Sequence, residues 1–366
     1  MAAFMAVLEA DLRALSTEAR RRYPAVKDAA EHAILKLRSL SGPNEIAHNE
    51  DILRIFLMAC EVKTVKLSVI GLSCLQKLIS HDAVAPSALK EILATLKDEI
   101  EADTDLIRVE GWENVDILVN SGNTKHGEMA DETVQLKTLQ TILIIFQSRL
   151  QPDNEENMAQ ALGISLRLLE SSRSSDSVRN TAAATFRQAV ALIFDHVVCA
   201  ESLPTGKIGS GGYASRKFTS GGPSLMRGTL TNSGKLGLRL LEDLTALAAG
   251  GSAIWLRVIS IQRTFVLDIL EFALSNYAVL FRTLVPYEQV LRHQICSLLM
   301  TSLRTNSELE GETGEPYFRR LVLRSVAHII RLYSSSLITE SELLLVVKGL
   351  KIEKNGWNES EWGKVD

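Results

Sequence analysis

Apolar residues recur at helical spacing along most of the chain. Ile52, Ile55 and Phe56 stand at positions i, i+3 and i+4, and this spacing aligns side chains on one face of an α-helix. No convincing period-2 alternation predicts a strand, so the pattern indicates about a dozen helices of roughly 12 to 25 residues. The apolar stripes that predict them include Ile52, Ile55, Phe56 and Ala59; Val65, Val69, Leu72 and Ile79; Leu136, Leu139, Leu143 and Phe146; Val178, Ala182, Phe186, Ala189, Ile193 and Val197; Trp255, Ile259, Val266, Ile269 and Ala273; and Val322, Val326, Ile329 and Tyr333.

Prolines mark the starts of these helices and do not interrupt them. Because the first-turn N–H groups of a helix have no intrahelical partner, proline is tolerated there. Short polar turns are predicted at residues 80–86, 151–154 and 171–176. The prolines that we expect at helix starts are Pro24, Pro43, Pro86, Pro152, Pro286 and Pro316.

The number and length of the helices predict an all-α fold, an armadillo/HEAT-like helical-repeat stack. The sequence does not repeat itself at one fixed period, so the array would be a degenerate one. An irregular helical bundle is the alternative that the pattern leaves open.

Two segments break the helical rhythm. Residues 98–132 are predicted to be an acidic insertion between two helices, because the stretch from Lys97 to Glu132 holds eleven acidic and three basic residues. Residues 201–233 are predicted to be a disordered Gly/Ser-rich, mildly basic linker, since so glycine-rich a stretch has little apolar surface to offset its ordering entropy. We expect this linker to separate helical blocks at residues 1–200 and 234–350, followed by an unassigned tail at 351–366.

Composition and charge narrow the classes of function. The chain has 40 basic and 44 acidic residues and a formal net charge of -4, whereas nucleic-acid binders usually carry a dominant positive field. We therefore expect no nucleic-acid partner. Four cysteines are scattered singly, which indicates a reducing compartment; they are Cys60, Cys74, Cys199 and Cys296.

The sequence also bears on membrane targeting. Residues 1–8 are apolar but lack a basic flank and run directly into Glu9 and Asp11, so no secretory signal is predicted. No run reaches the roughly 20 apolar residues that span a bilayer. Any membrane contact is therefore expected to be peripheral.

Two segments are similar in composition to ligand-binding loops. Gly206 and Lys207 lie among further glycines, but the Gly-x-x-x-x-Gly-Lys-Ser/Thr spacing and a preceding strand are missing. Asp103 and Asp105 alternate as at the start of a calcium loop, yet no glycine and glutamate follow in register. We interpret the first segment as a flexible linker and the second as a solvated acidic loop.

The sequence predicts no catalytic, cofactor-binding or metal-binding residue, and hence no enzyme. Asp195, His196 and Cys199 raise the hypothesis of a thiol relay, but a nucleophile needs a base, an orienting group and oxyanion donors at one point, which one amphipathic helix does not supply. The histidines include no pair spaced for zinc on one helix face; they are His32, His48, His81, His126, His196, His293 and His328.

A basic cluster lies near the predicted end of the first helix. It consists of Arg13, Arg20, Arg21, Arg22 and Lys27. Such a face attracts anionic lipid by about 1 kcal/mol per residue near the surface. A solvated helix end is the simpler interpretation, and we favour it.

Because no catalytic, cofactor-binding or metal-binding site is predicted, the binding of protein partners is the function that the sequence favours. A helical stack presents extended faces to partners. The predicted helices at residues 65–79 and 178–198 are apolar around more than half their circumference, which favours an isologous apolar patch and a homodimer.

Several blocks resemble a known family. Residues 11–40 (DLRALSTEARRRYPAVKDAAEHAILKLRSL) resemble the opening of the monensin-sensitivity Golgi trafficking scaffolds, which are relatives of the large Arf guanine-nucleotide exchange factors. Residues 179–198 (RNTAAATFRQAVALIFDHVV) resemble the end of that family's dimerisation and cyclophilin-binding (DCB) domain, and residues 180–188 are the most specific piece. Blocks that resemble the start of the family's HUS domain are residues 238–247, 263–281 and 337–350.

The resemblance implies a non-enzymatic scaffold of Golgi and endosome vesicle trafficking. It implies a homodimer, a peripheral location at trans-Golgi and endosome membranes, and partners that include a Dopey-family protein, an aminophospholipid flippase and Arf-like GTPases. Family members are much longer, so we expect the chain to be part of a longer protein. The alternative is the N-terminal regulatory region of an exchange factor, since no segment resembles the catalytic exchange module.

Overall fold

Helices account for most of the chain that the structure, a computed structural model, describes. The described residues are 2–20, 22–40, 42–100, 131–203, 230–304 and 315–333. Among them, β-type pairing is confined to an isolated bridge between Ala253 and Val258. The chain divides into two compact units, Met1–Ile193 and Phe194–Asp366. The predicted all-α class is confirmed.

Short connections link successive helices of the first unit. A 3-10 turn at Pro86–Ala88 precedes the sixth helix, and α9 at Asp176–Ala200 runs from the first unit into the second. The other helices of this unit are α1 (Ala2–Ala19), α2 (Pro24–Leu37), α3 (Pro43–Ala47), α4 (Glu50–Glu61), α5 (Val65–Ser80), α6 (Leu89–Ile100), α7 (Glu132–Gln147) and α8 (Glu155–Glu170).

These helices pack in two layers. Helix α5 contacts α1 and α7 in one layer, while α4 contacts α2 and α6, and α6 contacts α8, in the other. Pairs such as α1 with α2, α4 with α5 and α6 with α7 join the layers. Repeated helical pairs of this kind are the helical-repeat stack that the sequence predicts.

The apolar stripes explain the packing of α4 and α9. Ile52, Phe56 and Ala59 of α4 are fully buried, as the helical spacing predicts. In α9, Val178, Phe186 and the remaining members of its stripe are buried as well. In α5, Leu72 and Ile79 of the predicted stripe are buried and Val69 is partly buried, but Val65 is exposed. The buried face also includes Leu67, Leu75 and Leu78.

The second unit surrounds a buried tyrosine. Tyr287 is fully buried beside Phe281, and its hydroxyl donates a hydrogen bond of 2.9 Å to the carbonyl oxygen of Gly234. Helix α11 contacts both α10 and α15. The elements of this unit are α10 (Asn232–Ala248), α11 (Arg263–Asn276), α12 (Ala278–Thr283), α13 (Val285–Val290), a π-helical turn (Leu291–Ile295), α14 (Cys296–Arg304) and α15 (Glu315–Tyr333).

Prolines lie at helix starts, as predicted, with one small difference. Pro24 and Pro43 are the first residues of α2 and α3, and Pro86 begins the 3-10 turn. Pro286 and Pro316 are the second residues of α13 and α15, whereas Pro152 precedes α8 by three residues.

The predicted helical stripe beginning at Trp255 and Ile259 is wrong in its first part. Helix α10 ends before Gly250, which has a φ of +85° and stops the helix without a Cβ penalty. Residues 253–258 form a small hairpin, and α11 begins only at Arg263. Ile259 is exposed, so its alignment with the α11 stripe was coincidental.

The two irregular segments lie mostly outside the described residues, but their flanks are defined. Helix α6 continues to Ile100 and contacts α7, whose N-cap is Asp131. On the second flank, a carboxylate oxygen of Glu201 accepts hydrogen bonds from the backbone N–H and hydroxyl of Thr231, at 2.8 and 2.7 Å. Both segments therefore leave and return between neighbouring helices.

The HUS-like block at residues 337–350, the tail at 351–366, the pair Asp103 and Asp105, and Gly206 with Lys207 all fall outside the described residues. The domain boundaries given above remain predictions. The division into compact units lies between Ile193 and Phe194, inside α9.

Candidate interaction surfaces

The hypothetical thiol relay is not assembled. Asp195 accepts a hydrogen bond of 2.9 Å from the hydroxyl of Tyr277, while His196 and Cys199 are exposed. Burial and the neighbouring Asp195 raise the pKa of the Tyr277 hydroxyl. Asp195 therefore anchors Tyr277 in the fold.

The thiols of the two buried cysteines have low reactivity. Burial raises the pKa of the Cys60 and Cys74 thiols, and a thiol in this state is a poor nucleophile. Within the described ranges, no group of three or more His, Cys, Asp or Glu residues is suited to hold a metal ion.

His81 and His328 contact residues of neighbouring helices. His81 stacks on Phe4 with ring centroids 4.2 Å apart. Nε2 of His328 lies 2.9 Å from a carboxylate oxygen of the buried Glu271, which also lies 3.4 Å from Arg324. These side chains connect neighbouring helices.

The basic cluster near the end of α1 is partly compensated. Arg13 forms an ion pair of 2.6 Å with Glu9, and Lys27 lies 3.5 Å from Glu31. Nε of Arg20 donates a hydrogen bond of 2.8 Å to the carbonyl oxygen of Thr17. Arg21 lies outside the described residues. These contacts agree with a solvated helix end.

The helices suspected of forming an apolar patch use their apolar sides in the core. In α5 only Val65 stands out as a large exposed apolar side chain, and the stripe of α9 is buried. Helix α9 is also long and apolar enough to cross a membrane by length and composition alone. Half of its most apolar 18-residue stretch is buried in the protein, and the core helices of soluble proteins can be equally long and apolar. We therefore assign α9 to the core.

An exposed apolar face instead runs along α1. We call it the α1 outer face, and its members lie opposite the buried stripe that contains Leu8 and Leu15. All of them are exposed and have small or β-branched side chains: Ala3, Ala6, Val7, Ala10 and Ala14.

The acids that border the α1 outer face are paired within the protein. Glu9 lies 2.7 Å from Arg38, and the hydrogen bond from that guanidinium lowers the pKa of Glu9. Asp11 lies 2.5 Å from Lys77 of α5. The apolar face is therefore bordered by carboxylates whose charges are already balanced.

Sequence reasoning missed this face, although its signal is present. Ala3, Ala6, Ala10 and Ala14 are spaced at i, i+3, i+7 and i+11, which is a helical stripe. Large apolar residues indicate core faces, and alanine carries little weight in such a pattern. A second exposed apolar site is the hairpin at residues 253–258, where Ile254 is 80 % exposed.

The described part of the chain is a stacked helical fold with exposed apolar faces on α1 and on the hairpin. The sequence matches the family described as "Mon2/Sec7/BIG1-like, dimerisation and cyclophilin-binding domain" over residues 1–129 and 115–201. The chain therefore belongs to the DCB domain family.

Similar proteins indicate which members of the DCB domain family the chain resembles. The chain is 27 % identical to the human "Protein MON2 homolog" over 375 residues, which cover 96 % of this chain and 20 % of the relative. It is 26 % identical to the Drosophila melanogaster "Protein MON2 homolog" over 97 % of this chain and 20 % of the relative. "Protein MON2" of Saccharomyces cerevisiae is 33 % identical over 24 % of this chain and 5 % of the relative. The chain thus spans about a fifth of the length of the first of these relatives.

Proposed function

We propose that the chain is a non-catalytic scaffold of Golgi and endosome vesicle trafficking that pairs with a second copy of itself through the α1 outer face. The observation that carries this proposal is an exposed apolar helix face bordered by acids that are already paired. Membership in a family described by dimerisation supports self-association.

The geometry suits an isologous contact. A two-fold axis across α1 places the same residues of both copies against each other. Side chains as small as Ala6 and Ala10 let two helices approach closely, because the interaxial distance is set by the side chains at the contact. Glu9 and Asp11 impose little repulsion, since each already has a cationic partner.

Light scattering of the purified 366-residue chain tests the proposal. We expect twice the monomer mass at tens of micromolar concentration. Ala10→Glu places two like charges near the axis, so we expect at least about tenfold weaker association. Far-UV circular dichroism should stay unchanged, because Ala10 is exposed.

Ala184→Glu is the matched control, since Ala184 is an exposed alanine on α9. It should leave the dimer intact. A strictly monomeric wild-type chain would contradict the dimer, and a dimer that survives Ala10→Glu would place the interface elsewhere.

The compartment and partners extend the proposal. The resemblance to the monensin-sensitivity scaffolds supports a peripheral location at trans-Golgi and endosome membranes and binding of a Dopey-family protein, an aminophospholipid flippase and Arf-like GTPases. Co-purification from cells with the tagged chain tests these partners. Enrichment of none of them would refute this part while leaving self-association untouched.

A second candidate function is a regulatory region of an Arf exchange factor. The family description names Sec7- and BIG1-like proteins beside Mon2, which favours this alternative. A GDP-release assay with the whole gene product and Arf-type GTPases separates the two. Accelerated release would support the exchange factor, and an unchanged rate would support the scaffold.

A further inference from the structure

The hairpin at residues 253–258 displays aliphatic side chains to solvent. Ile254, the first of its four turn residues, is 80 % exposed, and Ile259 directly after the hairpin is 43 % exposed. The paired residues Ala253 and Val258 are buried, whereas Ile254 in the intervening turn and Ile259 after the pair are exposed. The two isoleucines are therefore accessible from solvent.

The hairpin is held firmly in place. The backbone N–H of Ala253 donates to the carbonyl oxygen of Val258 at 2.8 Å, and the reverse hydrogen bond is 3.1 Å long. A carboxylate oxygen of Asp243 accepts the backbone N–H of Leu256 at 2.8 Å. Trp255 and Leu256, the two central residues of the same turn, are buried. The exposure of Ile254 thus belongs to an ordered segment.

The start of α15 lies at the same end of the second unit as the hairpin. Nε of Arg263, the first residue of α11, donates to the carbonyl oxygen of Ala248 at 2.9 Å. The guanidinium of Arg263 also lies 5.2 Å from the ring centroid of Phe318. This contact joins the end of α10, the start of α11 and the start of α15, where Tyr317 is 49 % exposed.

The exposed charged residues that we assign to this end are arginines, while the carboxylate of Asp243 is turned towards the backbone N–H of Leu256. From Leu244 to Leu267 the charged residues are Arg257 and Arg263. Arg257 and Arg320 are exposed and have no carboxylate partner among the described residues. From Pro316 to Tyr333 the sequence contains four arginines and no acid, with Glu315 directly before this stretch and Arg324 paired with Glu271. We call Ile254, Arg257, Ile259, Tyr317 and Arg320 the hairpin surface.

We propose that the hairpin surface docks directly on an anionic lipid bilayer. This inference rests on the peripheral membrane location within the proposed function and adds the site of contact. An anionic bilayer fits because it offers both an apolar phase for isoleucine and phosphates for arginine. A protein groove of matching acidity would need a second set of complementary side chains, whereas a bilayer accepts this combination without shape matching.

The chemistry assigns a role to each side chain. Ile254 and Ile259 enter the boundary between headgroups and acyl chains, while Tyr317 lies at the headgroup level, where tyrosine is enriched. Arg257 and Arg320 contact lipid phosphates. The paired backbone groups of Ala253 and Val258 remain satisfied during shallow insertion, which avoids the cost of unpaired polar groups in an apolar phase.

Vesicle flotation tests the proposal. We expect the 366-residue chain to float with mixed phosphatidylcholine–phosphatidylserine vesicles and to bind pure phosphatidylcholine vesicles more weakly. Ile254→Ser with Ile259→Ser should weaken binding about tenfold or more. Arg257→Gln or Arg320→Gln should each weaken it about fivefold at low salt. Leu35→Ser is the control, because Leu35 is 65 % exposed but belongs to α2.

An environment-sensitive dye gives a second measurement. It is attached to Ile254→Cys in a background lacking Cys199 and Cys296, whose remaining cysteines are buried. The dye emission should shift to the blue with anionic vesicles, and the same dye on Ala184→Cys should not respond. Absence of vesicle binding, or binding that survives loss of both isoleucines, would overturn the proposal. The light-scattering result on self-association is independent, so either proposal can fail alone.

Discussion

Gly71 of α5 lies so close to Phe56 of α4 that a Cβ added to Gly71 would stand 2.8 Å from the Phe56 carbonyl oxygen. It would also stand 3.2 Å from the sulfur of Cys60. The backbone oxygen has no room to move, so glycine is required here by packing. The close approach allows α4 and α5 to bury their apolar stripes against each other.

Gly71→Ala should therefore destabilise the fold. We expect a loss of about 1–3 kcal/mol, the range for an overpacked core, in spite of the better helix propensity of alanine. Urea denaturation followed by circular dichroism measures the change. Gly163→Ala is the control, because a Cβ on Gly163 of α8 meets nothing within 4 Å. That variant should be more stable by about 0.5–1 kcal/mol.

Glu99 should make stability depend on pH. Its carboxylate is buried and accepts a hydrogen bond of 2.9 Å from Ser68, and burial raises its pKa above the usual 4.5. A raised pKa in the folded state means that its stabilising contribution is present below pH 4.5 and is lost as pH rises through the folded pKa.

Glu99→Gln removes this titration. We expect the variant to match the wild type near pH 4 and to be more stable than the wild type near pH 7. Urea denaturation across that pH range measures the difference. A constant difference between the two proteins at every pH would show that Glu99 does not titrate in this range.

Phe186 is the sharpest test of the core face of α9. Its ring is fully buried, so Phe186→Asp should bury an unpaired charge and cost several kcal/mol, about 3–5 or more. The melting temperature should fall steeply or the protein should not fold. Ala184→Asp, two residues earlier on the exposed side, should change it little. Equal effects of both substitutions would refute the assignment of faces.

Thr231 connects the end of α9 with the start of α10. Its hydroxyl oxygen caps α10 by accepting the backbone N–H of Gly234 at 3.1 Å and donates to Glu201. Thr231→Ala should cost about 1 kcal/mol, the usual value of an N-cap. Thr231→Ser retains the hydroxyl and should retain most of the stability in thermal denaturation. A loss of similar size in both variants would mean that the methyl group of Thr231 matters more than its hydroxyl.

The sequence was sufficient to predict the helical core where large apolar residues dominate. The stripe of Ile52, Phe56 and Ala59 predicted both the helix and its buried face, because burial of such side chains drives the packing. The exposure of Val65 at the start of α5 was harder to predict, since Val65 and Leu67 are equally apolar and only the neighbouring helices α4 and α7 decide which of them is buried.

The hairpin surface and the α1 outer face could not be predicted from the spacing of large apolar residues. Ile259 has the character of a core residue, and its exposure depends on the hairpin that Gly250 and Asp243 establish. Ala10 is neutral in a pattern of large apolar residues, so its exposure became visible only when Leu8 and Leu15 were located in the core. Tertiary contacts decide which apolar residues remain free for partners.

The clamp between Glu201 and Thr231, and the contact between α6 and α7, have a practical consequence for live-cell imaging. On either side of residues 101–130 and 204–229, the described helices already contact each other. Lengthening a connection between fixed ends costs little, since each doubling of its length adds only about 0.6 kcal/mol. A fluorescent protein inserted at either point should fluoresce without unfolding the protein that carries it. Such a reporter would leave α1 unmodified, so its distribution in the cell would reflect the native molecule.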